Sequence, residues 1–171
     1  MDYQLGKLPQ LLSSKVPKLE VTIASPVTEI EEAVNTARGQ YHSTRIMAIL
    51  ESHVNLSGFK KILGVTSVDL YNPSPRADGE GFVFGEARLQ GRSGIVSTFR
   101  LNAGLPPSVV FNRRVEKEAV HELGHMVGLE HCPSLTCVMH KSENVNDTDA
   151  KSDSYCDACQ VILRDFVERE I

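Results

Sequence analysis

The sequence predicts an α/β (α+β) fold in a single compact domain, on three observations. The chain has 171 residues, the size of one domain able to bury roughly 70 % of its unfolded surface. Strand-like runs occupy much of the stretch before residue 102, and helical spacing takes over from about Arg113. Hydrophobic residues at 41 % and charged residues at 23 % are ordinary for a globular chain, and no repeat, low-complexity tract or linker divides residues 1–171.

The elements follow in order. LEVTIA, Leu19 to Ala24, alternates apolar and mostly polar residues, as a short strand does. Ser43 or Thr44 is placed to cap a helix whose apolar positions Ile46, Ile49, Leu50 and Val54 recur at helical spacing. KILGVTSVDL, Lys61 to Leu70, is apolar over much of its length, the pattern of a central strand covered on both faces. Prolines, glycines and charges from Asn72 to Gly81 mark an exposed loop. In FVFGEARLQ, Val83, Ala87 and Leu89 fall on one side and Phe82, Phe84, Glu86 and Arg88 on the other, which suits an edge strand with one face toward a cleft or solvent. Gly94 to Leu101 forms a further strand, and its short connection through Gly91 to Ser93 favours antiparallel pairing.

After a loop from Asn102 to Pro107, Val115, Ala119, Leu123 and Met126 make the apolar stripe of a helix. A last helix is expected from about Ser154, where Ser154 and Asp157 have capping-box spacing, with Val161, Ile162, Phe166 and Val167 as its buried side.

Charge and hydropathy exclude several classes. A net charge of -4 gives no reason to expect a nucleic-acid partner, and the pairs at Lys60 and Arg113 are too short for a basic patch. The longest apolar runs, such as Ile46 to Leu50, fall far short of the roughly 20 residues of a membrane span. The opening residues lack the long apolar region of a secretory signal, so a cytoplasmic location is expected. The glycosylation-type triplets Asn55-Leu56-Ser57 and Asn146-Asp147-Thr148 are read as chance for that reason. A monomer is the default.

The chemistry is concentrated in VHELGHMVGLEHC, Val120 to Cys132. His121 and His125 are four residues apart, a little over one helical turn, so both imidazoles leave from one face and can share one metal. Gly128 gives the backbone freedom to leave the helix, and the turn carries His131 back as a third ligand. Three protein nitrogens leave one position open on tetrahedral zinc, the arrangement of catalytic sites. Glu122, beside the ligands without being one, is placed to act as general base on a zinc-held water and then to protonate the leaving amine. His42, His53 and His140 are read as structural or surface residues.

All four cysteines lie between residues 132 and 159. Cys132 and Cys137 are separated by four residues, and Cys156 and Cys159 by two, a spacing suited to tetrahedral zinc held by four thiolates. Such a metal has no open position and is structural. Two disulfides, a redox pair or iron at the same four sulfurs are the alternatives. Cys132 follows His131 directly, so the structural site is expected to anchor the backbone that positions the third histidine.

At these residues the sequence resembles the archaemetzincin family of metzincin-type zinc metallopeptidases. HELGHMVGLEH, Cys132, Cys137-Val138-Met139 and the CDAC ending at Cys159 carry the likeness, which extends more loosely through Gly39-Gln40-Tyr41, LGVTSVDLY and FVFG. The resemblance implies a metzincin-like zincin fold, with a twisted mixed β-sheet of about four to five strands, an active-site helix and a C-terminal helix. It implies that His121, His125 and His131 bind catalytic zinc, that Glu122 is the general base, and that Met139 forms the Met-turn beneath the metal. It also implies an apolar strand ahead of the first helix, of which Met1 to Ser14 gives no clear sign.

The expected function is a zinc-dependent metallopeptidase acting on peptide or protein substrates, with two zinc ions per chain and Phe84 as a substrate-contact candidate on the edge strand. The alternative is a zinc-stabilised binding or regulatory protein with little turnover. Hydrolysis of a non-peptide amide would use the same chemistry.

Overall fold

The computed structural model describes residues 3–53, 59–73, 81–104 and 106–170. In chain order its main elements are α1 (Leu8–Lys15), β1 (Val34–Asn35), β2 (Gln40–His42), α2 (Ser43–His53), β3 (Ile62–Thr66), β4 (Leu70–Tyr71), β5 (Gly85–Ala87), β6 (Ser93–Ser97), α3 (Ser108–Met126), α4 (Val145–Ala150) and α5 (Asp157–Glu170). The strands divide between two three-stranded sheets, β1-β2-β4 and β3-β6-β5, linked by an isolated bridge between Leu70 and Val83. Both sheets are mixed: β3 runs parallel to β6 and β5 antiparallel to it, while β2 runs parallel to β4 and antiparallel to β1.

β6 is the central strand, and every one of its residues is buried. Its alternation divides the apolar interior in two. Ile95 points into a cluster with Ile46, Met47 and Ile49 of α2, and Val96 into a larger cluster with Phe111, Val115 and Ala119 of α3. The sheet is thus covered on both faces, which explains why SGIVS reads as apolar without interruption. Lys61 to Leu70 does not hold the central place expected of it. Its residues split into β3 and β4, in different sheets, and β3 is only half-buried along its length because β6 flanks it on one side alone.

Leu19 to Ala24 forms no strand. Leu19 and Val21 lean on the larger cluster, and the segment finds no ladder partner, without which alternation alone does not make a strand. The first turn of chain is instead helical: α1, with a proline in its first turn, buries Leu8 and Leu12 against α3. Ser43 does open α2, but its hydroxyl donates to the Glu86 carboxylate of β5, which also accepts from Thr44 at 2.9 Å. A carboxylate at that helix start complements the positive end of the dipole. Val54 and the Asn55 triplet lie outside the described residues, as does most of Asn72 to Gly81.

α3 begins at Ser108, a turn and a half before the expected start, and ends where the motif requires. α5 begins at Asp157 rather than Ser154, whose hydroxyl donates to Asp153 and accepts from Lys15. Its buried face is half as expected: Val167 is inside and Phe166 packs in part against the larger cluster, but Cys159 and Leu163 complete the face while Val161 and Ile162 are 50 % and 49 % exposed. Cys159 fixes that orientation, since positions four and eight residues on share its face.

Candidate metal centres

The end of α3 is closed by a Schellman motif. Leu129 N donates to Gly124 O at 2.9 Å and Gly128 N to His125 O at 3.0 Å, with Gly128 at φ 96°. Only glycine takes that conformation without strain, and the turn sends the chain back across the helix end. The three imidazoles converge there: ring centroids are 4.7 Å apart for His121 and His125, 5.3 Å for His121 and His131, and 4.8 Å for His125 and His131. One nitrogen from each lies within 4.8 Å of the others.

Tautomers follow from the outer hydrogen bonds. His121 Nδ1 donates to Val138 O at 2.8 Å and His125 Nδ1 to Leu129 O at 2.7 Å, because a carbonyl can only accept. Both Nε2 atoms therefore present lone pairs, yet they face each other at 3.1 Å. A proton between them would require an imidazolium. Burial opposes that, holding the His121 pKa well below its ordinary value and lowering that of His125. Two facing lone pairs call for a cation, and nitrogens on tetrahedral zinc stand about 3.3 Å apart, given bonds of about 2.05 Å. Partial desolvation brings the more exposed His131 down to about 4, so all three rings are neutral at pH 7.

Glu122, beside His121 on α3, is 4 % exposed, and its Oε2 is buried with no hydrogen-bond partner. Burial, then the neighbouring Glu118 carboxylate, raises its pKa well above the usual range, with Lys151 acting in the opposite direction. β5 passes directly over it. A Cβ at Gly85 would sit 2.5 Å from Glu122 Oε1, so glycine is what lets the strand approach the carboxylate. Met139 is fully buried against α3, where a Cβ at Gly124 would overlap its Sδ.

The four cysteines form the second centre. Sγ separations are 3.7 Å for Cys132 and Cys156 and 3.8 Å for Cys137 and Cys159, all four being free thiols. A disulfide would bring sulfurs to about 2.05 Å, whereas thiolates on tetrahedral zinc, at bonds of about 2.3 Å, stand about 3.8 Å apart. Cys156 immediately precedes α5, and the Cys159 backbone amide lowers its pKa to about 7, while burial pushes the Cys159 thiol up.

Phe84 is 5 % exposed and belongs to the larger apolar cluster, packed edge-on against Phe82 with centroids 5.0 Å apart. Both rings also line a cleft of about 690 Å³ with Phe99, Arg100, Asn144 and Val145. Arg100 lies over the Phe82 ring at 4.2 Å and is held by Asp69 through two hydrogen bonds of 2.7 Å. Phe84 is thus first a packing residue, with Phe82 and Arg100 the more accessible parts of that wall.

His42, His53 and His140 stay outside the histidine cluster. His140 is nonetheless tied to it, its Nδ1 donating to Cys132 O at 3.0 Å while Cys132 N donates to Met139 O at 2.9 Å. Sequence reasoning misses Glu118 and Lys151. Lys151 Nζ meets Glu118 Oε1 at 3.0 Å with both side chains buried, one turn before His121 and Glu122. Glu118 at i and Glu122 at i+4 share a helix face, the one signal available beforehand.

A mixed α/β frame carrying three convergent neutral imidazoles, a buried carboxylate on the same helix as two of them and a four-thiol cluster is the arrangement of a zinc metallopeptidase. Residues 5–165 match the sequence model of peptidase family M54. The archaemetzincin of Methanopyrus kandleri is 37 % identical over 96 % of this chain and 94 % of its own length, and that of Archaeoglobus fulgidus 40 % identical over 91 % and 90 %. The crystal structure of the M. kandleri archaemetzincin superimposes with TM-score 0.82 at 34 % identity, covering 96 % of this chain and 86 % of that one. A zinc-dependent peptidase from Methanocorpusculum labreanum superimposes with TM-score 0.75 at 28 % identity, over 92 % of each chain. The chain belongs to peptidase family M54, the archaemetzincins. Among the described residues no helix is long and apolar enough to cross a membrane.

Proposed function

We propose that residues 1–171 act as one peptidase domain, with His121, His125 and His131 holding a catalytic zinc and Cys132, Cys137, Cys156 and Cys159 a structural one. The observation that carries the reading is the pair of opposed Nε2 lone pairs, on a helix that also holds a buried carboxylate oxygen without a partner. Bound there, zinc supplies a Lewis acid that polarises the peptide carbonyl and lowers the pKa of water from about 15.7 toward about 7. Glu122 takes the proton of the attacking water on Oε2 and delivers it to the leaving amine nitrogen. Burial raises its pKa, the direction that makes a carboxylate a stronger proton acceptor.

Gly85 lets extended substrate backbone run along β5 within reach of Glu122, and the cleft walled by Phe82, Phe84 and Arg100 receives a substrate side chain. Met139 packs as the floor under the histidines. Four cysteines that hold zinc and form no disulfide suit a reducing compartment, so the proposed setting is the cytoplasm, with a monomer as the default state.

The test is cleavage of a diverse peptide mixture read by mass spectrometry, comparing the zinc-loaded protein with Glu122→Ala at matched metal content. Cuts made only when Glu122 is present support the peptidase and give its residue preference. Intact peptides with both proteins would favour a zinc-stabilised binding protein instead.

A further inference from the structure

A buried ion pair costs desolvation that its own attraction rarely recovers, and apolar replacements of similar volume are often at least as stable. A pair in such a place, one turn from the active carboxylate, therefore needs a reason other than stability. Its contacts supply one. Lys151 Nζ is shared between Glu118 Oε1 at 3.0 Å and the His140 carbonyl at 3.2 Å, with a side-chain exposure of 0 %. Glu118 Oε1 is fixed from the other side by Thr148 Oγ1 at 3.1 Å.

From His140 the connection continues inward. His140 Nδ1 donates to Cys132 O, and Cys132 N donates to Met139 O, so His131-Cys132 and Met139-His140 are laced together by two bonds of 3.0 and 2.9 Å. Val138, next in line, accepts from His121 Nδ1 at 2.8 Å. The circuit is closed: Glu118 on α3, Lys151, His140, the backbone of the third histidine, and back to α3 through His121.

We infer that the buried Lys151–Glu118 pair is a positioning device that sets the height of the His131 segment above α3, and so completes the three-histidine site. The inference rests on the proposed reading of those histidines as metal ligands. Lys151 reaches from the end of α4 to a carbonyl that no apolar side chain can hold. Fixed at both ends, it spaces the Met139–His140 turn from the helix. The thiol cluster anchors the same backbone from the opposite side through Cys132, but it has Cys137, Cys156 and Cys159 to close it as well. The histidine site has no such redundancy, since among the described residues His131 is the one member of its cluster from outside the helix.

The experiment uses the full chain loaded with cobalt(II), whose absorption separates a thiolate site from an imidazole site. Loss of cobalt to a chelator is followed at each site, with thermal unfolding measured alongside. The variant is Lys151→Met with Glu118→Leu, which removes both charges and leaves neither partner stranded. It should lose cobalt from the histidines at least about tenfold faster, the lower end of what removing an outer hydrogen-bond partner costs a metal site. Release from the thiolates and the unfolding midpoint should match the parental protein, and the histidine-site spectrum should shift as its geometry relaxes.

Should that variant fail to fold, Lys151→Met with Glu118→Gln keeps a partner for Thr148 and is expected to show the same selective loss. Parental release and spectrum at the histidines in either folded variant would overturn the inference. So would equal acceleration at both sites together with a lower unfolding midpoint, which is the signature of a merely structural pair. A parental protein that binds cobalt only at the thiolates would overturn the histidine-site reading and this inference with it, whereas a variant matching a two-cobalt parental protein overturns this inference alone.

Discussion

Gly85→Ala tests the site where its geometry is tightest. The added methyl carbon would lie 2.5 Å from Glu122 Oε1, 2.8 Å from Glu122 Cγ and 2.8 Å from Ile95 O. Ordinary contact begins at 3.4 Å, so relief toward Oε1 needs a shift of about 0.9 Å. Ile95 is fixed by its place in β6, paired with Gly64 of β3 on one side and Glu86 of β5 on the other, which leaves the Glu122 side chain as the group that yields. A misplacement of about 1 Å in a catalytic group can cost about 100-fold in rate, or about 2.7 kcal/mol of barrier at about 1.36 kcal/mol per decade. The assay is kcat/KM on a peptide the parental enzyme cleaves, at matched zinc content, with thermal unfolding as the control. The expected outcome is a fall of about 100-fold in kcat, with KM much less affected because the substrate edge of β5 keeps its backbone groups. Parental kcat in a folded Gly85→Ala protein would refute the role given to Glu122, since the base would then have moved without consequence.

Three further outcomes are expected. Gly124→Ala drives a methyl into Met139 Sδ, with Tyr155 Cε1 also 3.1 Å away; overpacking of about 1–3 kcal/mol, offset by about 1 kcal/mol of helix propensity, should lower stability by up to about 2 kcal/mol while zinc retention at the histidines falls. Cys132→Ser should lower the affinity of both metal sites, read by metal analysis after dialysis against chelator; loss of one metal with full activity would contradict the coupling through His131-Cys132. Asp149 is held below its usual pKa by the Arg114 guanidinium, at 2.8 and 2.7 Å, so its contribution to stability is present above its ordinary pKa near 3.8 and is lost as pH falls through the lower folded value. The gap in unfolding temperature between parental protein and Asp149→Asn should accordingly be full at pH 6 and narrow below about pH 4, a modest effect because the Asp149 side chain is 40 % exposed; an unchanged gap at pH 3 would be the contrary result.

What was legible in the sequence was whatever is set by short separations. His121 and His125 share a helix face whatever the rest of the chain does, Gly128 announces the turn, and two cysteine pairs need only a loop between them. The β5–β6 hairpin was readable for the same reason. Long-range pairing was not. Leu19 to Ala24 has a strand's alternation but no neighbour to complete a ladder, and Lys61 to Leu70 is apolar enough for a central strand although the position went to β6. The face of α5 was misjudged because Val161 and Ile162 look like core residues until Cys159 fixes the rotation. Lys151 lies in a polar run that reads as solvated surface, and only its meeting with Glu118, distant in the chain, shows it to be buried.

The junction of His131 and Cys132 can now be given a physical reason. A site with one position left open has ligands enough to bind zinc but must also keep its geometry while substrate enters and product leaves. On the proposed reading two of its ligands, His121 and His125, draw their rigidity from α3, which is buried along much of one side. The third stands on a segment with little apolar surface of its own: between Cys132 and Tyr155 the buried residues are Cys137, Val138, Met139, Thr148 and Lys151. Hydrophobic burial on that scale cannot hold a backbone to the few tenths of an ångström that ligand geometry demands. On the proposed reading a closed four-thiolate zinc supplies most of that hold, beside the Lys151–Glu118 pair, since such sites contribute about 10–16 kcal/mol in small peptides, as much as the net stability of a whole domain at about 5–15 kcal/mol. Placing the first thiolate at the residue after the third histidine leaves no torsional slack between anchor and ligand. One inserted residue there would add two free backbone dihedrals, and the proposed reading then requires the histidine site to lose its metal while the thiolate site keeps its own.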